Sequence, residues 1–147
     1  MKIKKADIFK DAPTHDAICV TTNGIVKQNG ALVMGAGVAK QFALNFPGLE
    51  YDLGAKVKVY GNQPFLVYKK KTGIISFPTK NHYQDKSDLT LIKSSAEAIA
   101  KLTTARKWTS IAIPAPGVGL GGLSWSKDVQ PLLESILDDR FTVYFKP

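Results

Sequence analysis

The sequence predicts a three-layer α/β/α sandwich around a central mixed sheet, on three observations. Short apolar, β-branched runs such as Ala17-Ile18-Cys19-Val20 and Ile111-Ala112-Ile113 alternate with amphipathic segments at helical spacing, the pattern of strands covered on both faces. Two strand-like runs, 65–70 and 73–78, are separated by only Lys71-Thr72, so part of the sheet is an antiparallel pair. Finally, two glycine-rich stretches, Gly30 to Gly37 and Gly117 to Gly122, each follow an apolar run and precede an amphipathic segment.

Each element follows in order. Ile3, Ala6, Ile8 and Phe9 suggest an edge strand over 2–9 whose lysines face water. The next strand, Ala17 to Thr22, is nearly continuous in apolar character and ends at the Asn23-Gly24 turn. Val38, Phe42, Leu44 and Phe46 define a helix from Gly35 to Phe46, stopped by Pro47-Gly48. Lys56 to Tyr60, Phe65 to Lys70 and Gly73 to Pro78 read as three strands. Leu89, Ile92, Ala96, Ile99 and Leu102 give a helix capped by Ser87 or Asp88. A strand over 109–114, a helix over 126–138 and a last strand over 141–145 complete the chain. At 147 residues, with no linker or internal repeat, all of it fits one domain, 1–147.

Composition narrows the function. The net charge of +8 favours a polyanionic partner, nucleic acid among them. No apolar run approaches the length of a membrane span, and the basic N-terminus is not followed by an apolar signal core, so a cytoplasmic location without membrane association is expected. Cys19 is the single cysteine and lies mid-strand, which predicts a buried, unreactive thiol. His15 and His82 are the only histidines, and no metal-binding spacing accompanies them, so no metal is expected.

The glycine stretches carry the chemistry. Glycine permits backbone angles that turn consecutive amides toward one ligand group, and a helix start adds its own unpaired amides, so each stretch suits a phosphate. A tight strand-to-helix connection would also use glycine there, but two such loops at strand ends could grip two phosphates. A dinucleotide-type dehydrogenase fingerprint is not met: Gly35-Ala36-Gly37-Val38-Ala39-Lys40 has lysine at the third glycine position and follows the second strand. A third loop, Phe77-Pro78-Thr79-Lys80-Asn81-His82-Tyr83, leaves a strand at the same edge and brings a lysine and a histidine.

Taken together these motifs, in this order, resemble the macrodomain family of ADP-ribose binders over essentially the whole chain. The resemblance implies ADP-ribose as ligand or product, no other cofactor, and a monomer. Ala6-Asp7-Ile8-Phe9 is similar to the family's adenine-contacting first strand, which assigns Asp7 and Ile8 to substrate binding. Asn23, Asn29, Gly35, Ala36, Gly37 and Val38, with Pro116, Gly117, Val118, Gly119, Leu120 and Gly121, are similar to its ribose and pyrophosphate contacts. The 77–80 loop followed by His82-Tyr83 and Lys86-Ser87 resembles the branch containing DarG antitoxins and the terminal ADP-ribose protein glycohydrolase, in which a lysine of this loop removes ADP-ribose. The latter enzyme carries an aspartate where this chain has Gly121, whereas the DarG type has glycine there and keeps the tryptophan that is Trp125 here.

The resemblance therefore implies an ADP-ribosylhydrolase acting on thymidine-linked ADP-ribosylated DNA or carboxylate-linked protein, with Lys80 catalytic. A non-catalytic ADP-ribose reader, or an ADP-ribose 1″-phosphate phosphatase, are the alternatives. An unprotonated Lys80 amine could accept a proton from water or ribose, or attack the anomeric carbon directly. His82 could polarise the site beside it. Trp125 could cap the distal ribose or pack into the core.

Overall fold

In the computed structural model, which describes residues 1–147, the sheet has six strands in the order β1-β6-β5-β2-β4-β3. The strands are β1 (Lys2–Lys5), β2 (Ala17–Thr22), β3 (Leu66–Lys69), β4 (Thr72–Pro78), β5 (Ile111–Pro114) and β6 (Phe141–Phe145). All neighbours pair in parallel except β3 with β4, where Val67 faces Ile74 and Tyr68 faces Gly73. The sheet is therefore mixed, and helices cover both faces.

Alternation along β2 divides the core. Ile18 and Val20 point to one face, where α2 (Gly37–Asn45) and α3 (Leu49–Tyr60) bring Phe42, Leu49, Leu53 and Val57. Ala17 and Cys19 point to the other, where α4 (Leu89–Ala105) and α5 (Gln130–Glu134) bring Ile92, Ala96, Ile99 and Leu133. Phe42, Phe77 and Phe141 are wholly buried, and truncating any of them to alanine should cost about 3–5 kcal/mol. No helix is long and apolar enough to cross a membrane.

Four expectations need correction. The first strand stops at Lys5 and not at Phe9, because Asp7 caps the short helix α1 (Ile8–Asp11), its carboxylate accepting from the Phe9 amide at 2.9 Å. The segment 56–60 is the last part of α3 and no strand: Leu49, Leu53 and Val57 recur at helical spacing and are buried, which overrides the local alternation of Lys56 to Tyr60. The helix expected over 126–138 is a π-helical turn, Trp125–Val129, running into the five-residue α5. Pro131 has no amide to donate back to the preceding turn, so regular α-hydrogen bonding cannot run through it. Leu44, expected on the buried face of its helix, is 70% exposed.

Candidate functional site

Five parallel strands end at one edge of the sheet, and their loops surround a cleft of about 1480 Å³. Asp7, Ile8 and Phe9 enter it after β1, Asn23 after β2, Thr79 and Lys80 after β4, Ala115 and Gly117 after β5, and Lys146 after β6. This edge is where parallel α/β sheets place their ligands.

One wall is the first glycine loop. Gly35 and Ala36 have amides without a protein partner, and the first turn of α2 has no side-chain cap. Gly37 adopts φ +59°, which glycine takes without strain. Consecutive free amides at the start of a nine-residue helix make this wall an anion site in waiting. The facing wall is the second loop, in which Gly117 and Gly119 have φ +77° and +63° and the amides of Gly117 and Val118 are again unpaired. The loops nearly meet: a Cβ on Gly37 would lie 3.1 Å from Leu120 Cδ1, and Leu120 is 74% exposed above the cleft.

Lys80 stands at the far end, after β4. Its loop is held at several points: the Thr79 amide donates to the Thr22 carbonyl (3.0 Å), the Gly24 amide to the Asn81 carbonyl (2.9 Å), and the Asn62 side-chain amide to the Lys80 carbonyl (3.1 Å). The side chain is half-buried, lines the cleft, and its amine has neither a hydrogen bond nor an ion pair within the protein. A fixed backbone with an uncommitted amine is what a group acting on a bound ligand requires.

Of the other residues read from the sequence, Ala36, Val38, Gly119, Leu120 and Gly121 also line the cleft. Asn23 lines it too, but it is largely engaged in fixing the first loop: its Nδ2 donates to the Val33 carbonyl (2.9 Å) and its Oδ1 accepts from the Ile25 amide (3.0 Å). Four candidates are not among the lining residues. Asn29 instead accepts from the Ala31 amide at 3.0 Å, holding the turn at Gly30. Pro116 is buried behind the loop. His82 stacks on Tyr83, centroids 4.3 Å apart, and it is Tyr83 that borders the cleft. Trp125 packs edge-on against Phe145 at 5.0 Å and lies, partly buried, against the second core. Sequence reasoning missed Gln41 and Asn45 in the wall, and it quoted Phe9, Tyr83 and Ser87 within motifs without giving them a role in the site. The burial of Ser87, 7% exposed with a hydroxyl that has no partner, shows only in three dimensions.

Cys19 is fully buried, and desolvation pushes its thiol far above the ordinary range, so it is no nucleophile. Nowhere do three or more His, Cys, Asp or Glu side chains converge as a metal site would require.

No family model matches the chain. It is similar to the DNA ADP-ribosyl glycohydrolase of Mycobacterium tuberculosis, 32% identical over an alignment of 124 residues, with 78% of this chain and 35% of that protein covered. The chain thus spans about a third of the length of the curated relatives it matches. Among solved structures, the macrodomain of Mycobacterium tuberculosis DarG superposes with a TM-score of 0.81 at 26% identity, over 99% of this chain and 97% of that one. Thermosipho africanus DarTG in complex with ADP-ribose gives 0.77 at 26% identity, over 98% of this chain and 43% of that one. Agreement in fold along nearly the whole chain, joined to agreement in sequence with these same proteins, identifies the chain as a macrodomain of the DarG branch.

Proposed function

We propose that this protein binds ADP-ribose along the cleft and hydrolyses its glycosidic link to DNA, with Lys80 as the catalytic group. The observation that carries the reading is the uncommitted Lys80 amine at the end of a cleft lined by two loops of free amides. In this reading the amides of Gly35 and Ala36 face those of Gly117 and Val118 across the pyrophosphate, and Asp7, Ile8 and Phe9 hold the adenine end. Support also comes from the names of the relatives, DNA ADP-ribosyl glycohydrolases, and from the ADP-ribose complex of the Thermosipho africanus protein.

The chemistry follows from the bond. As the link from C1″ to the base breaks, C1″ gains oxocarbenium character and the base takes the bonding electrons and a proton. Water adds to C1″ and loses its proton, leaving free ADP-ribose. An unprotonated Lys80 amine accepts that proton, or attacks C1″ first and is then displaced by water.

The test is release of ADP-ribose from a thymidine-linked ADP-ribosylated oligonucleotide. Lys80→Ala is expected to lower turnover at least about a hundredfold while ADP-ribose affinity stays within a few-fold. Wild-type turnover in that variant overturns the assignment of Lys80. Binding without turnover in the wild-type protein leaves a reader of ADP-ribose instead.

A further inference from the structure

We propose that Tyr83, stacked on His82, is the platform on which the nucleobase carrying the ADP-ribose lies. The inference rests on the hydrolase reading above and specifies its substrate end. Strand order sets the direction of the cleft: Asp7 and Lys146 leave β1 and β6 at one side, whereas Lys80 leaves β4 at the other. A ligand laid along the cleft with its scissile carbon at Lys80 therefore places whatever it is attached to next to the loop that carries Lys80, and Tyr83 of that same loop borders the cleft.

Tyr83 is built to meet something planar. Its ring is 44% exposed at the border of the cleft and lies nearly parallel to His82, at 26° and 4.3 Å between centroids. The stack sits on an ordered turn: the Gln84 amide donates to His82 Nδ1 at 3.1 Å and the Asp85 amide to the His82 carbonyl at 3.0 Å. The other well-exposed tyrosines, Tyr51, Tyr60 and Tyr68, lie away from the cleft. An exposed, immobilised aromatic face suits a base that has left its own stack, and the exposed Lys86 on the same loop suits a phosphate of the strand. The carboxylate of a modified protein side chain offers no ring to stack.

The experiment compares Tyr83→Ala with wild type on three probes: a thymidine-linked ADP-ribosylated single-stranded oligonucleotide, a carboxylate-linked ADP-ribosylated peptide, and free ADP-ribose. The expected result is a KM increase of about tenfold on the oligonucleotide, with a much smaller change on the peptide and in ADP-ribose affinity, and recovery in Tyr83→Trp. Equal effects on both substrates, or none on the oligonucleotide, overturn the platform. Should the wild-type protein cleave neither substrate, the hydrolase reading fails on its own. The platform is then judged by binding: tighter binding of the modified oligonucleotide than of ADP-ribose, lost in Tyr83→Ala, sustains it, and no such difference removes it.

Discussion

The Ser87 amide donates to the Gly121 carbonyl at 2.9 Å, and the Ser87 hydroxyl occupies the place that a Cβ on residue 121 would need. The second glycine loop is thus shaped around Ser87, and glycine at 121 is required by packing. Gly121→Ala is expected to lower stability by about 1–3 kcal/mol through overpacking, with Gly121→Asp worse because it also buries a charge. Calorimetric melting checks this, and Ser87→Gly in the Gly121→Ala background should recover most of the loss; a Gly121→Ala protein that melts like wild type would contradict the fit.

Asn62 should act on catalysis without touching the ligand. Its side chain donates to the Lys80 carbonyl and to Asn81 Oδ1, at 3.1 and 2.9 Å. Asn62→Ala releases the Lys80 backbone, so kcat should fall about tenfold or more while KM and ADP-ribose affinity change little. A matched fall in affinity would show instead that the whole cleft had shifted.

Gly119→Glu separates folding from binding. Nothing lies within 4 Å of a Cβ at this position, so the substitution meets only the strain of φ +63°. Stability should drop by about 1–2 kcal/mol, whereas the carboxylate, placed beside the free amides, should abolish ADP-ribose binding. Titration calorimetry on the folded variant decides it, and wild-type affinity would take this loop out of the site.

The melting temperature should depend on pH through His15. Its ring bonds Ser110 Oγ and Tyr144 Oη, each at 2.7 Å, and Tyr144 donates to Asp11, which Lys4 also holds. Desolvation lowers the His15 pKa, with Lys4 adding to the effect while Asp11 and Asp16 oppose it. The unfolded chain then takes up a proton near the ordinary value of 6.5 that the folded protein refuses. The stabilisation is complete above that value and declines as pH falls below it. Melting at pH of about 7.5 and about 5.5 should show this decline in the wild type and much less of it in His15→Gln; an unchanged slope would assign it elsewhere.

The layers, all six strands, β1 with its end misplaced, and both glycine loops were legible because apolar runs and glycine clusters are local signals. What escaped depended on contacts between distant residues. Lys56 to Tyr60 alternates like a strand, yet α3 is held by the burial of Leu49, Leu53 and Val57 and by the close seat of Gly54 against the Gly30 carbonyl. Asp7 reads equally well as a strand residue or a cap, and only the bond to Phe9 decides. For Trp125 the sequence left two readings open, capping a ribose or packing against the core, and the contact with Phe145 shows the packing. The order of the strands, which sets Asp7 and Lys80 at opposite ends of one cleft, cannot be read from any local segment.

The pairing of β1 with β6, Lys2 beside Thr142 and the Ala6 amide on the Phe145 carbonyl, joins segments far apart in sequence. β6 is the only strand beside β1, so the end of the cleft bounded by Asp7 and Lys146 exists only while that one pairing holds. An opening confined to β1 would take that end of the cleft apart and leave the wall at Lys80 standing. The exposed lysines of β1 keep a loosened strand from pairing with another chain.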